Sequence, residues 1–389
     1  MRAEKPATLS KVELHGRLER VRAKMSTAGF DMLFVGHSTD LEYLLGVDRR
    51  LHYYGATHFF GEWAVGAVIR LDDEPLLLVP RHMAEFHFDV SADPPKMRVF
   101  TEKEDPKQVV DQAVKGKTGQ PPRSIGINLD APAELVLTLQ SLLPSTRVSL
   151  AAELLAEVRS VKSEAELDAI SEACFIADRV FEESLELLKP ELTEWDLAAW
   201  MVGRMKELGA ADQSFDTAIF SMGTHEARDA KERLSRRPLG NDISVSYDFG
   251  AALGGYCSDF GRTIHIGSPS QKFRHAYQAV IAAQAAGAEA MRPGARASEV
   301  DSAARRVIQD AGFGEHFRHR LGHAIGKDVH EAPYLDVVDE TPLAAGMTFT
   351  IEPSIFITGE FGTRVEDVFV VTDEGGVRLN KARADLVVV

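Results

Sequence analysis

Cysteine is scarce in this chain of 389 residues, and its two copies, Cys174 and Cys257, are far apart and form no CxxC spacing. Neither a disulfide framework nor a thiolate zinc site is therefore indicated. No apolar run reaches membrane-spanning length, and the N-terminus has no apolar core of the kind that a signal peptide needs. We predict a cytoplasmic protein in which any metal is bound by oxygen and nitrogen.

Basic residues are outnumbered as well, with 44 lysines and arginines against 59 acidic residues and a net charge of -15. Nucleic acids and anionic membranes are bound by basic faces, so we expect neither as a partner. The sequence has no Walker or GxGxxG loop and no HExxH motif, which leaves nucleotide binding and zincin chemistry without support. Its length and its 44% of hydrophobic residues fit a globular protein of two domains.

The patterns of helices and strands divide the chain into two parts. A helical pattern from Leu14 to Met25 precedes a strand pattern from Asp31 to Val35, and strands and helices continue to alternate beyond it. This alternation predicts an α/β domain over residues 1–155. Ser163-Glu-Ala-Glu has the form of a capping box that opens a long helix, and we predict the second domain over residues 156–389.

A loop rich in aromatic rings and basic side chains runs from Asp48 to Trp63 in the first domain. The rings could pack against their own domain or against a neighbouring subunit. Alternatively, the loop could cap a substrate pocket, including one in another subunit. The sequence leaves both alternatives open.

Three histidines in the second domain, His319, His323 and His330, lie at spacings of four and seven and are interleaved with Gly322 and Gly326. Imidazole is the commonest metal ligand among side chains, and glycine lets the backbone bend or approach closely. One imidazole does not make a metal site, so carboxylates must come from elsewhere in the chain.

The first pair of carboxylates lies on a predicted hairpin from Ser244 to Ile266. If its turn is centred on Leu253-Gly254, Asp248 and Asp259 are direct cross-strand partners, with Cβ atoms roughly 4.5 to 5.5 Å apart. Carboxylates held so close repel each other strongly unless a proton or a cation intervenes. The pair therefore argues for a metal.

A second predicted hairpin, from Met347 to Thr372, carries Glu352 on its first strand and Arg364 and Glu366 on one face of its second strand. An unpaired charge in such apolar strands is costly. The four carboxylates and one neutral imidazole carry a formal charge of about -4, which two divalent cations cancel. The sequence thus predicts a dinuclear site for manganese, cobalt, iron or zinc.

The five predicted ligands and their flanking residues resemble those of the pita-bread metallohydrolases. They are Asp248 in Tyr-Asp-Phe-Gly, Asp259 in Tyr-Cys-Ser-Asp-Phe-Gly-Arg-Thr, His323 in Gly-His-Ala-Ile-Gly, Glu352 in Phe-Thr-Ile-Glu-Pro and Glu366 in Thr-Arg-Val-Glu-Asp. That family includes Xaa-Pro dipeptidase (prolidase), aminopeptidase P, methionine aminopeptidase and the metal-free creatinase. The resemblance implies a creatinase/prolidase-like N-terminal domain, an α+β pita-bread catalytic domain, and a homodimer in which the first domain of one subunit approaches the active site of the other.

The resemblance also implies roles for side chains around the metal. His330 resembles the histidine that binds the scissile carbonyl, and Glu352 would double as the acid and base that moves a proton from water to the leaving nitrogen. His319 resembles a further substrate-side histidine, and Arg364 resembles the arginine that orients the substrate or the ligands. For both, hydrogen bonding within the protein without substrate contact is an equal alternative.

Two positions depart from the family pattern. The family usually has a substrate-binding histidine shortly before the first aspartate, at a place that here falls near Ala230 or Lys231, and His225 is the nearest candidate. Gly261 stands where a threonine is typical, which removes a hydroxyl near Asp259.

The function that the sequence predicts is hydrolysis of a C–N amide bond, by an Xaa-Pro dipeptidase or an Xaa-Pro aminopeptidase acting on small peptides. The displaced histidine favours one alternative, a hydrolase or lyase of a small non-peptide metabolite on the same fold. A second alternative is a non-catalytic binding module, and the intact ligand set speaks against it.

Overall fold

The computed structural model describes residues 11–47, 60–86, 96–223 and 234–389. The chain forms two compact units, of which one ends at Arg159 and the other begins at Ser160. The sequence-based boundary between residues 155 and 156 falls slightly earlier, inside the helix Ala152–Ser160. Most of the aromatic loop predicted from Asp48 to Trp63 lies outside the described residues. Within the described ranges, no helix is long and apolar enough to cross a membrane.

The first unit is built on a mixed sheet with the strand order β4-β3-β2-β1-β5-β6, in which β1 is antiparallel to β2 and parallel to β5. Its helices are α1 Lys11–Ala28, α2 Thr39–Leu45, α3 Arg81–Phe86, α4 Pro106–Lys115, α5 Ala133–Leu142 and α6 Ala152–Ser160. Its strands are β1 Met32–Gly36, β2 Gly66–Arg70, β3 Leu76–Pro80, β4 Lys96–Phe100, β5 Ser124–Ile127 and β6 Arg147–Leu150.

The central strand β1 is buried along its whole length. Leu33 and Val35 belong to a core formed with α1, α2 and α6, whereas Met32 and Phe34 belong to a core formed with α4 and α5. Successive side chains of a strand point to opposite faces, so a strand with helices on both sides is apolar at every position. The prediction of an α/β first domain is confirmed.

The second unit combines an antiparallel sheet, of order β14-β13-β15-β17-β12-β9-β8, with helices packed on it; β16 and β18 also pair with β17. Its helices are α7 Glu164–Ser184, α8 Glu194–Glu207, α9 Gln271–Ala290 and α10 Ala297–Asp310. Its strands are β7 Asp212–Gln213, β8 Ala218–Met222, β9 Ile243–Phe249, β10 Ala251–Leu253, β11 Tyr256–Cys257, β12 Phe260–Ile266, β13 Gly322–Ala324, β14 Glu331–Leu335, β15 Thr348–Ile351, β16 Ser354–Ile357, β17 Phe361–Thr372 and β18 Gly375–Arg378.

Helices α7 and α8 share one apolar core with β9 and β12, and helices α9 and α10 share another with β15 and β17. The predicted capping box opens α7, because the Ser163 hydroxyl accepts the backbone N–H of Glu166 and the Glu166 carboxylate accepts that of Ser163. Both helix pairs thus pack on the face of the sheet opposite Asp248 and Glu366, which is the α+β arrangement predicted for the second domain.

The first acidic hairpin turns one residue later than predicted. Gly254 and Gly255 form its turn, with φ of +60° and +80°, because the two-residue turn that matches the twist of the strands requires positive φ at both positions. Asp248 consequently lies opposite Gly261. The prediction that Asp248 and Asp259 are direct cross-strand partners is wrong.

Glu352 lies in a break between β15 and β16, and not within a strand as predicted. Pro353 follows it and has no N–H to donate, so the ladder of hydrogen bonds is interrupted there. The pairing with β17 keeps one register on both sides of the break. Glu352 is therefore left opposite Glu366.

Candidate metal centre

The predicted acidic ligands meet on one face of the sheet. Asp248 on β9 and Glu366 on β17 are both paired with Gly261 on β12, and Glu352 lies opposite Glu366. Directly paired residues of adjacent strands project to the same face, as does Asp259, two residues before Gly261. Strand register thus gathers the acids around a residue without a side chain.

His323 on β13 completes the cluster. Its Nε2 lies 3.4 Å from Asp259 Oδ2 and 3.4 Å from Glu352 Oε1. Potential ligand atoms of His323, Glu352 and Glu366 lie within 4.8 Å of one another, and so do those of Asp248, Asp259 and Glu366. The structure therefore brings the five predicted ligands together.

The electrostatics of the cluster favour a bound cation. Burial, followed by the neighbouring carboxylates, raises the pKa of Asp259 and of Glu366 well above their usual values. Burial also raises the pKa of Glu352 to about 7. The buried atoms Asp259 Oδ1 and Glu366 Oε2 have no hydrogen-bond partner among the described residues. Converging carboxylates with unused lone pairs, beside an imidazole, fit divalent metal ions.

Arg364 supplies positive charge inside the cluster. Its Nη1 lies 2.6 Å from Asp248 Oδ2, 3.7 Å from Glu366 Oε2 and 3.9 Å from Glu352 Oε2. Its side chain is only 17% exposed, so these attractions are weakly screened by water. The guanidinium therefore interacts with three of the four acids.

A second arginine, Arg262, fixes the strands behind the acids. Its Nη1 donates to the carbonyl oxygens of Gly261 and Glu366, both at 2.7 Å, and its Nη2 donates to the Asp367 carboxylate at 2.6 Å. Gln284 donates to the same carboxylate at 3.0 Å. The backbones of β12 and β17 are thus joined at the positions that face the cluster.

The loop that carries His330 is fastened by a buried ion pair. Lys162 Nζ donates to Glu331 Oε2 at 3.1 Å, and the two side chains are 1% and 8% exposed. Gly326 packs against the pair, where a Cβ would lie 2.9 Å from the carboxylate and 3.0 Å from Lys162 Cε. His330 itself is exposed, and its ring centroid lies 4.0 Å from that of His323. The pair holds His330 beside the cluster.

His319 has both ring nitrogens engaged within the protein. Its Nδ1 lies 2.6 Å from the carbonyl oxygen of Arg320 and must donate, because a carbonyl only accepts. Its Nε2 therefore accepts from the Ser354 hydroxyl. Burial and the charge of Arg364 lower the pKa of His319 to about 4, so the neutral ring supports the chain around Ser354. A contact with substrate stays a prediction.

The remaining residues that the sequence pointed to are not part of the described cluster. His225 and the neighbouring positions Ala230 and Lys231 lie outside the described residues. Cys257 is buried, and its Sγ donates to the backbone oxygen of Lys327 at 3.3 Å, so it packs within the protein.

Sequence reasoning did not single out Lys162 and Glu331, although one adjoins the capping box and the other adjoins His330. The sequence did contain a signal: a charged residue lies directly beside each of these features, and each could have been predicted to form an ion pair. Their separation of 169 positions in the chain left the pairing itself unpredictable.

Replacing Gly261 with alanine is expected to lower metal affinity by about 10- to 100-fold, the usual cost of disturbing the surroundings of a ligand. A Cβ at this position would lie 2.5 Å from Glu366 Oε2 and 3.0 Å from Arg364 Cδ, so the carboxylate must move. Calorimetric titration with Mn²⁺ measures the effect. Gly203→Ala is the matched control, because nothing lies within 4 Å of the added methyl; equal affinity of both variants would contradict the prediction.

Sequence models of two families match the chain. Metallopeptidase family M24 matches residues 168–373, and the Creatinase/Prolidase N-terminal domain matches residues 17–161. The probable dipeptidase PepE of Mycobacterium tuberculosis is 34% identical over 377 residues, which cover 96% of each chain. The Xaa-Pro dipeptidase of Pyrococcus horikoshii is 36% identical over 265 residues, covering 68% of this chain and 75% of that protein. The crystal structure of the prolidase from P. horikoshii OT3 superposes with a TM-score of 0.81 at 29% identity, covering 96% of this chain and 100% of that one.

These similarities extend over both units and confirm the predicted succession of a creatinase/prolidase-like domain and a pita-bread domain. They also confirm that the protein is a peptidase, so the alternative of a non-catalytic binding module is set aside. The chain belongs to metallopeptidase family M24.

Proposed function

We propose that this protein is a dinuclear metal-dependent dipeptidase that hydrolyses the bond before a C-terminal proline. The observation that carries the proposal is the convergence of Asp248, Asp259, His323, Glu352 and Glu366 on one face of the sheet. The names of two relatives, a probable dipeptidase and an Xaa-Pro dipeptidase, support the choice of substrate.

Two of the three overlapping groups of potential ligand atoms share Glu366, an arrangement that supports two ions. Four carboxylates and Arg364 together carry a formal charge of about -3, so two divalent cations leave about +1 for an anionic nucleophile or oxyanion. Oxygen and nitrogen ligands without sulfur suit manganese, cobalt, iron or zinc. We favour manganese as the first ion to test, since carboxylates predominate.

Divalent ions at this place would supply Lewis acidity toward the scissile carbonyl and lower the pKa of a water molecule. Among the protein's own groups, Glu352 is placed to accept the proton of that water and to return it to the leaving nitrogen, because its carboxylate lies in the cluster beside His323. His330, exposed next to His323, would donate a hydrogen bond to the carbonyl oxygen. Arg364 orients the Asp248 carboxylate by a hydrogen bond of 2.6 Å.

The proposal is tested by incubating protein loaded with Mn²⁺, Co²⁺ or Zn²⁺ with Xaa-Pro dipeptides, an Xaa-Pro tripeptide and a dipeptide without proline. We expect metal-dependent release of proline from the dipeptides. Cleavage of the tripeptide would move the assignment to an Xaa-Pro aminopeptidase. If the protein binds metal and cuts no peptide, the dipeptidase proposal fails, and the small non-peptide substrate becomes the leading alternative.

Two further predictions concern the oligomeric state and the cellular location of the enzyme. A homodimer is implied by the resemblance to the prolidase branch, and sedimentation equilibrium of the full chain measures it. A cytoplasmic location remains a prediction from the sequence, and it agrees with both cysteines being buried and outside any disulfide. Fractionation of the source cells tests it.

A further inference from the structure

A lysine and a glutamate are buried together behind the loop 325–330, which joins β13 to β14. Lys162 Nζ donates to Glu331 Oε2 at 3.1 Å, and the two side chains are 1% and 8% exposed. Taking two charges out of water is costly, and an apolar pair of the same size often gives an equally stable protein. A gain in stability therefore does not explain why this pair is charged.

The pair fastens the loop at two points. Glu331 lies opposite Ala324 in the pairing of β13 with β14, and its Oε1 accepts the backbone N–H of Asp328 at 3.1 Å. Lys162 is itself held in place, because its backbone N–H donates to the carbonyl oxygen of Gly346 at 3.0 Å. The carboxylate thus ties the middle of the loop to its end, and the ammonium ties that end to the chain just before β15.

Close packing joins the remainder of the loop to the same pair. A Cβ on Gly326 would lie 2.9 Å from Glu331 Oε1 and 3.0 Å from Lys162 Cε. On another side, the carbonyl oxygen of Gly326 accepts the backbone N–H of Cys257 in β11 at 2.8 Å. The glycine backbone is therefore fitted between β11 and the ion pair, and a change in the pair is transmitted to the loop.

His330 directly precedes Glu331, so the pair acts on the backbone that carries this imidazole. The ring is exposed, and one of its nitrogens lies within 4.8 Å of ligand atoms of Asp259 and His323. A hydrogen bond from the ring to a carbonyl oxygen requires a separation of about 2.7 to 3.2 Å. A misplacement of about 1 Å can cost about 100-fold in rate. Because the ring is exposed, its position depends on how firmly its backbone is held.

We propose that Lys162 and Glu331 are positioning residues, whose buried ion pair sets His330 at the distance that the scissile carbonyl requires. The inference rests on the proposed function, in which His330 donates to the carbonyl oxygen, and it adds two buried groups that act through that histidine. The hydrogen bond strengthens as negative charge develops on the oxygen. Loss of its geometry therefore slows the chemical step more than it weakens substrate binding.

Steady-state hydrolysis of an Xaa-Pro dipeptide by the metal-loaded full chain gives the first test. Lys162→Met removes the charge and keeps an unbranched side chain, and we expect kcat to fall by about 10- to 100-fold while KM changes by less than about 3-fold. Lys272→Met is the matched control, because Lys272 and its partner Glu360 are 51% and 45% exposed, and it should change neither constant. An equal kcat in Lys162→Met and the parent would overturn the inference.

Stability and a double-mutant cycle separate positioning from a purely structural role. Lys162→Met leaves Glu331 unpaired with its lysine and should lower the urea midpoint, whereas Lys162→Met combined with Glu331→Gln buries no charge and should recover stability. The low kcat should persist in the double variant, because the pair is still missing. In a His330→Ala background, Lys162→Met should cost less than about 3-fold more. Recovery of kcat together with stability, or an undiminished loss in the His330→Ala background, would contradict the proposal.

The position of the ring can also be followed without turnover. In Zn²⁺-loaded protein with ¹⁵N-labelled histidine, the ring resonances of His330, assigned with His330→Ala, should shift or broaden in Lys162→Met and stay unchanged in Lys272→Met. If no peptide is cut but these resonances respond, the positioning role stands and the reaction must be revised. If peptides are cut and the resonances do not respond, the proposed function stands and the role of the pair is refuted. Absence of both results refutes both.

Discussion

Asp259→Asn is expected to abolish hydrolysis while leaving the metal-depleted protein at least as stable as the parent. Asp259 belongs to two of the three groups of potential ligand atoms, one with His323 and His330 and one with Asp248 and Glu366. Its loss should therefore weaken metal binding by more than about 100-fold, beyond the cost of disturbing a neighbour of a ligand. In chelator, the same substitution removes one of several buried carboxylates that repel one another. Activity and stability therefore move in different directions.

Two measurements check this result. Calorimetric titration with Mn²⁺ should show loss of at least one bound ion, and urea denaturation in EDTA should give a free energy of unfolding equal to or above that of the parent. Asp310→Asn, at an exposed position at the end of α10, is the control and should change neither quantity. Marked destabilisation of Asp259→Asn in EDTA would show that this carboxylate serves the fold, against our expectation.

Arg364→Met should destabilise the metal-depleted protein by about 2 to 4 kcal/mol, because removal of one partner leaves buried charges uncompensated. The guanidinium lies within 4 Å of Asp248, Glu352 and Glu366. Saturation with divalent ions should reduce the difference, since the ions then balance the same acids. Activity should fall as well, because Asp248 loses the hydrogen bond of 2.6 Å that orients it.

Urea denaturation with EDTA and with saturating Mn²⁺ gives the two free energies that this expectation compares. Arg296→Met provides the control, because the pair of Arg296 with Glu340 is 59% exposed on each side and should contribute under about 1 kcal/mol. A variant with both Arg364→Met and Asp248→Asn should recover part of the lost stability in EDTA. Equal destabilisation with and without metal would argue that Arg364 acts only through packing.

The elements and the ligand set could be predicted because their signals are local. The apolar positions of α1 and the Ser163 box specify helices within a few residues, and the flanking residues of His323 identify the ligand motif by themselves. Strand register is a different kind of information. The turn could be placed at Leu253-Gly254 or at Gly254-Gly255, and only the positive φ of both glycines decides between them.

The ion pairs that support the site could not be predicted, because they join distant parts of the chain. Lys162 meets Glu331 across 169 positions, and Arg262 meets Asp367 across 105. The residues next to Lys162 and Arg262 in the sequence do not indicate their partners, because a sequence does not distinguish a buried lysine or arginine from an exposed one. Packing of the folded chain selects these pairs.

The alignment of Asp248, Gly261 and Glu366 makes metal ions selective for correctly paired strands. A slip of one residue would turn an acid to the opposite face, and a slip of two would separate former partners by about 7 to 8 Å. Ions that bind only the native pairing stabilise it by mass action, by about 4 kcal/mol at a thousandfold excess over Kd. A divalent ion in the refolding buffer would thus raise the fraction of chains that refold with the native strand register, even when no substrate is present.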